Sequence, residues 1–197
     1  MTTLVIASGN AGKVREFAAL LSELSLAVQP QPDGFEVEET GSTFAGNARL
    51  KAVAAARATG CWALADDSGL SVDALGGAPG VHSARYADSD AARIERLLQE
   101  LSEAGAHTPA SRSAHFTAAL ALANPEGEIV LEVEGLCPGQ ILEAPRGEGG
   151  FGYDPVFYVP AAELTFAEMD KALKGRLGHR GRAFSLLAPR LEQLLGG

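Results

Sequence analysis

The apolar run Cys61-Trp62-Ala63-Leu64-Ala65 constrains this chain more than any other stretch. It reads as a buried strand. Asp66-Asp67-Ser68-Gly69-Leu70 follows at once, so the strand is expected to end in two adjacent carboxylates, a hydroxyl and a glycine. Side chains alternate along a strand, which points Asp66 and Asp67 in different directions. One can face a cleft while the other is anchored by backbone amides or braces a neighbour. A carboxylate at the C-terminal edge of a buried strand is well placed to hold a hard cation such as Mg²⁺. Asp, Ser and Gly are also common turn formers, so the segment alone reads as a turn or as a site. The other clusters have to decide.

The 197 residues suffice for one large domain, or for one domain with two lobes. The net charge of −9 argues against a general binder of nucleic acid or anionic membrane. It leaves room for a small polyanionic substrate, because local Lys and Arg plus a metal can reverse the field at one site. The start of the chain, Met1 to Ala7, has no basic segment, and its apolar run is shorter than a signal peptide needs. No stretch is long enough to span a bilayer. Cys61 and Cys137 lack metal-ligand spacing and read as reduced, packed thiols of a cytoplasmic protein.

Leu4-Val5-Ile6-Ala7 reads as a first strand, Ser8-Gly9-Asn10-Ala11-Gly12 as a turn, and Lys13 as the opening of a helix running to about Leu24. A strand, a Gly-rich turn and a helix N-terminus make an anion site, with free amides and the helix dipole favouring negative charge. The P-loop spacing is not met: Ala7 stands where that motif needs Gly, and Val14 follows the lysine. Leu26-Ala27-Val28 is a short second strand, parallel to the first. The acidic stretch Glu36-Val37-Glu38-Glu39 reads as a solvated face unless Glu38 or Glu39 approaches Asp66 and Asp67. Thr43 is an N-cap for an alanine-rich helix, Phe44 to Thr59, closed by Gly60. Asn47 and Lys51 lie four residues apart on one face of that helix, either lining a cleft or solvated.

Asp88, Ser89 and Asp90 offer caps to a helix reaching about Ala104. Arg85 reads as a phosphate or Asp partner, and His82 as structural. Alternation in 112–122 and 128–134 indicates an antiparallel hairpin, which Ile141-Leu142 extends. Gly147, Gly149 and Gly152 fit a G-x-G-x-x-G pattern, but Val156 to Val159 reads as a strand where a dinucleotide fold needs a helix. The loop instead allows close backbone approach to a flat ligand, with Phe151 and Tyr153 as stacking surfaces and Asp154 as an acceptor. In the basic tail, Gly178 to Gly181 separates two helical stretches, the last packing Phe184, Leu187, Leu191 and Leu194.

Taken in order, these motifs resemble the inosine triphosphate pyrophosphatase family, the XTP/dITP diphosphatases. The resemblance rests on Ser8-Gly9-Asn10-Ala11-Gly12-Lys13, Glu39-Thr40-Gly41 with Thr43-Phe44, Asn47-Ala48 and Lys51-Ala52. It continues through Ala65 to Leu70, Gly76 to Gly80, Ser83 to Tyr86, Gly150 to Pro155 and His179-Arg180-Gly181, and covers essentially the whole chain. Two positions depart from the pattern: Ser8 stands where Thr is frequent, and Gly178 where Ser is frequent.

The resemblance implies an α/β fold with a long central mixed sheet flanked by helices, and a single domain over 1–197 with two lobes and a substrate cleft between them. It implies a Mg²⁺-dependent hydrolase that converts non-standard purine triphosphates (ITP, dITP, XTP) to the monophosphate and pyrophosphate. It also implies a cytoplasmic homodimer that uses neither nucleic acid nor membrane. Asp67 would be the proton acceptor and a Mg²⁺ ligand, with Glu38 or Glu39 assisting the metal. Ser8, Gly9, Asn10, Ala11, Gly12, Lys13 and Lys51 would bind the triphosphate, and Ser68 would touch the substrate. Phe151, Gly152, Tyr153, Asp154, Lys174, His179 and Arg180 would form the base pocket. The alternatives are a Maf-type pyrophosphatase of other specificity and a non-catalytic nucleotide sensor.

Overall fold

The structure, a computed structural model, describes residues 1–195. Seven strands form one mixed sheet: β1 (Thr2–Ala7), β2 (Leu26–Pro30), β3 (Trp62–Val72), β4 (Ser113–Ala123), β5 (Ile129–Ile141), β6 (Phe157–Val159) and β7 (Leu164–Thr165), in the order β2-β1-β3-β4-β5-β6-β7. β1 pairs in parallel with β2 and β3, whereas β6 pairs antiparallel with β5 and β7. The helices are α1 (Ala11–Leu21), α2 (Phe44–Thr59), α3 (Asp90–Glu103), α4 (Lys171–Leu177) and α5 (His179–Leu195). No helix among the described residues is long and apolar enough to cross a membrane.

The chain divides into two compact units. The first comprises 1–67, 118–135 and 180–197; the second comprises 68–117 and 136–179. In the first unit Leu4, Ile6, Phe17, Leu64, Leu120, Leu187 and Leu191 make one core cluster. A second cluster is almost entirely small: Ala48, Ala52, Ala55 and Ala56 of α2 pack on Val5, Ala7, Ala63, Ala65, Ala119 and Ala121. Small side chains let a helix lie close to a sheet, and this contact carries α2 to the strand ends. The second unit has its own core, built on Leu70, Val72, Leu97, Leu101, Phe116, Val156, Phe157 and Phe166.

The helix ends follow the sequence signals. Thr43 accepts from the Gly46 amide, and Gly60 closes α2 in the left-handed conformation at φ 66°. Ser89 caps α3 through the Ala92 amide.

Several expectations change. α1 runs from Ala11 to Leu21, and Asn10 caps it so that it starts two residues earlier than the lysine suggested. β3 does not stop at Asp66-Asp67 but runs on to Val72, since Leu70 and Val72 continue the buried pattern. Its Leu70 amide donates to Ser83 Oγ at 2.9 Å. Leu194 is exposed, and Leu195 takes the core position expected of it. Arg85 and His82 are exposed, and Arg85 makes no ion pair among the described residues.

Candidate functional site

The first cluster lies in the first unit, where β1, α1 and β3 meet α2 and the acidic loop. Alternation along β3 turns the two aspartates apart, as expected. Asp66, only 2% exposed, takes Lys13 Nζ at 2.7 Å and Arg180 Nε at 3.4 Å. Arg180 also donates to Glu16 Oε2 at 3.0 Å. Burial alone would push the Asp66 carboxyl up, but Lys13, Arg180 and Lys51 outweigh it and hold the group well below the usual carboxylate range. Burial lowers the Lys13 ammonium, with Asp66 opposing.

Asp67 is 5% exposed and faces a different set. Lys51 Nζ lies 3.3 Å from Asp67 Oδ1, 3.5 Å from Glu39 Oε1 and 2.7 Å from the Asp66 carbonyl oxygen. Burial drives the Asp67 carboxyl up to about 6, with Lys51 opposing and Glu39 reinforcing the rise. The adjacent carboxylates therefore differ in kind. Asp66 is a fixed anion neutralised by two cations, and Asp67 is a carboxyl poised near neutrality beside a second carboxylate.

The loop before α1 is largely satisfied from within. Asn10 Oδ1 accepts from the Gly12 and Lys13 amides at 2.9 and 3.1 Å, and Ser8 Oγ accepts from the Asn10 amide at 3.1 Å. Of the free amides expected there, those of Gly9 and Ala11 remain without a hydrogen bond among the described residues. Glu39 joins the cluster. Glu38 does not: its side chain is exposed, with no ion pair among the described residues.

The second cluster lies in the second unit. Asp154 is buried; its Oδ2 accepts from the Phe151 amide at 3.1 Å and pairs with Lys174 Nζ at 2.7 Å. Lys174 Nζ stands 4.9 Å from the Phe151 ring centre. His179, 3% exposed, stacks on Phe116 at 4.7 Å and 13°. Gly150 has φ +69°, and a Cβ there would overlap the Asp154 carboxylate, so only glycine permits this approach. The Gly152 amide donates to Asp90 Oδ2 at 2.9 Å. Ser68 is half-buried at the start of this unit.

Two expected base-pocket residues take other places. Tyr153 is not a stacking surface: it is buried, and its hydroxyl donates to the Ser83 carbonyl at 2.7 Å. Arg180 belongs to the first unit, where Asp66 and Glu16 hold it.

Three residues escaped the sequence reading as site members. Glu16 lies three residues after Lys13, a same-face spacing that could have marked it. Asp66 had no assigned role. Asn47 was placed on the Lys51 face but given no function.

No group of three His, Cys, Asp or Glu among the described residues is arranged as a metal cage. Glu39 and Asp67, however, both reach Lys51. Asp67 Oδ2 is buried with no hydrogen-bond partner among the described residues. Hard carboxylate oxygens of this kind suit Mg²⁺, which needs only one or two from the protein when water and phosphate complete its shell.

The profile of the Ham1 family matches residues 4–190. The chain is 63% identical over 195 residues to a dITP/XTP pyrophosphatase of Parasynechococcus marenigrum, covering 99% of this chain and 97% of that protein. It is 53% identical over 192 residues to a dITP/XTP pyrophosphatase of a Nostoc species, covering 98% and 95%. Among solved structures, it is similar to a HAM1 protein from Coxiella burnetii, with TM-score 0.87 and 44% identity over 98% of this chain and all of that one. A nucleoside-triphosphatase / dITP/XTP pyrophosphatase from Mycobacterium abscessus gives TM-score 0.73 and 41% identity over 95% of this chain and all of that one. A match of this extent is decisive, and the chain belongs to the Ham1 family.

Proposed function

We propose that this protein is a nucleoside-triphosphate pyrophosphatase that hydrolyses non-standard purine triphosphates, dITP and XTP with ITP, to the monophosphate and pyrophosphate. The observation that carries the reading is the pair of unlike carboxylates at Asp66 and Asp67, set among Lys13, Lys51 and Arg180. The names of the close relatives give it a substrate class.

Mg²⁺, held by Asp67 and Glu39, would supply charge neutralisation on the phosphate oxygens. Asp67 receives the proton of the attacking water. Lys13, Lys51 and the Gly9 and Ala11 amides take up negative charge on the triphosphate and on the leaving pyrophosphate. Asp66 keeps Lys13 oriented for that task. Phe151 offers a ring face to the purine, and Lys174 and His179 offer donors to a 6-oxo group. Adenine presents an amino group there and would leave such donors unpaired, which is the stronger form of discrimination. Arg180, held on Asp66, is assigned to the phosphate end rather than to the base. Homodimerisation and a cytoplasmic location belong to the same proposal and rest on the family resemblance.

The test is purified protein with Mg²⁺ and dITP, XTP, dATP and dGTP in parallel, separating pyrophosphate from orthophosphate. Pyrophosphate from dITP and XTP, lost in Asp67→Asn, is expected. Orthophosphate, or equal turnover of all four, would reject the reading.

A further inference from the structure

We propose that Asn47 is a positioning residue for the two metal-facing carboxylates, its carboxamide fixing the acidic loop with one end and Asp67 with the other. The inference rests on the assignment of Glu39 and Asp67 as the Mg²⁺ ligands and extends it to a residue that touches neither metal nor substrate.

Asn47 is fully buried in the first turn of α2, where a solvated asparagine would be the ordinary expectation. Its Oδ1 accepts the Gly41 amide at 2.7 Å. An N–H can only donate, so this bond sets the orientation of the carboxamide and turns Nδ2 the other way. Nδ2 is buried with no full hydrogen bond among the described residues, and so is Asp67 Oδ2. The Asn47 side chain lies within hydrogen-bonding reach of the Asp67 carboxyl. The donor left over on Asn47 is thus matched by the acceptor left over on Asp67.

The other end of the carboxamide explains why Glu39 has a defined place. Residues 36–41 form no helix or strand. Gly41, two residues after Glu39, is tied to α2 through Asn47 and has no room for a side chain. A Cβ there would lie 2.6 Å from Asn47 Oδ1 and 3.0 Å from the Asn47 backbone nitrogen. Lys51, one turn further along α2, spans the same two segments by charge. A second cation at position 47 would cancel the negative field a dication needs, and a third carboxylate would repel its neighbours. A neutral amide orients the pair and leaves its charge intact. Partners that orient metal ligands typically account for about 10–100-fold in affinity.

The test uses Asn47→Leu, which keeps the branching at Cγ and removes both polar ends, and Gly41→Ala, which pushes the carboxamide from the loop side. Mn²⁺ is titrated calorimetrically into each nucleotide-free protein, with the unfolding midpoint in EDTA and the KM values for Mg²⁺ and dITP measured alongside. Both variants are expected to bind Mn²⁺ at least about tenfold more weakly. The Mg²⁺ KM should rise in parallel, while the dITP KM at saturating Mg²⁺ stays within about twofold. A purely structural asparagine would lower the midpoint but leave Mn²⁺ affinity and the Mg²⁺ KM unchanged, and that result overturns the inference. Should Asn47→Leu fail to fold, Gly41→Ala carries the test. Asp67→Asn serves as the control. If it loses Mn²⁺ while the two variants keep it, only the positioning role is wrong. If Asp67→Asn binds Mn²⁺ like the parent protein, the metal assignment itself is wrong and the inference falls with it.

Discussion

Replacing Asp67 by Asn should abolish hydrolysis and, without metal, make the protein more stable at pH 7.5. The sign follows from the direction of the perturbation. Burial raises the Asp67 carboxyl from 3.8 to about 6. A group raised on folding contributes stability that is fully present below its unfolded value and is lost as pH rises through its folded value. The window is therefore about pH 4 to 6, and at pH 7.5 that contribution is gone. At about 1.4 kcal/mol per pKa unit, it amounts to about 3 kcal/mol. Asn carries the neutral form to every pH and would recover it. The Lys51 attraction is already contained in that net shift, and Lys51 keeps Glu39 and the Asp66 carbonyl; discounting instead for the imperfectly paired buried amide, a net gain of about 1–2 kcal/mol is expected. For a chain of this length the unfolding entropy is about 0.4 kcal/mol/K, which converts the gain to about 2–5 °C in Tm. The assay is thermal unfolding in EDTA at pH 7.5 and pH 5. The gain should shrink at pH 5, where the parent protein has itself taken up the proton. A lower Tm at pH 7.5, or an equal gain at both pH values, would refute the reasoning.

Asp66→Asn should do the reverse: it strands Lys13 and Arg180 without their buried counter-ion, at a cost of about 3–5 kcal/mol. Because the Asp66 carboxyl is depressed, its contribution is present above the unfolded value and is lost only as pH falls through the folded one. The same Tm loss is therefore expected at pH 5 and 7.5 in the same unfolding scans. Arg112 is buried and donates to three carbonyls, of Ile141, Ala106 and Leu142, at 2.6–2.8 Å. Arg112→Met should lower stability by about 3 kcal/mol or more, measured by urea unfolding, because those carbonyls lose their donor. Gly150→Ala should raise the dITP KM at least about tenfold and lower the Tm as well, because the new methyl group displaces Asp154 from Lys174 and the Phe151 amide and alanine is strained at positive φ.

Local chemistry made much of this legible in the sequence. The Thr43 cap, the Gly60 stop, the alternation of β5 and the divergence of Asp66 from Asp67 all follow from rules that act within a few residues, whereas β4 is buried on both faces and shows no such alternation. The reading failed where a distant partner decides. Arg180 was read from its place beside His179, and nothing nearby in the sequence announces that Asp66 and Glu16 will pair with it. Tyr153 looked like a stacking surface because nothing nearby in the sequence announces that the Ser83 carbonyl will take its hydroxyl. Glu38 and Glu39 could not be told apart, since the choice depends on where Lys51 stands. β3 was ended too early because two aspartates read as a turn; in the fold, Lys13, Lys51 and Arg180 from three other segments stabilise them inside the strand.

The arrangement around those aspartates also explains how an acidic chain can serve an anionic substrate. Lys13, Arg180 and Lys51 each already have a carboxylate partner, and two of the loop amides are capped by Asn10. A site built this way is not a bare positive sink. A stray anion would have to separate cations from Asp66, Asp67 and Glu39, and would gain little in return because the local charge is nearly balanced. Under the proposed function Asp67 and Glu39 would hold Mg²⁺ and so would need Lys51 less, leaving its ammonium to meet the phosphates of the triphosphate. Selectivity for the metal-bound nucleotide over simple anions then comes from the paired state of the resting site, and Asp66, whose carboxyl stays ionised throughout, keeps Lys13 in place during the exchange.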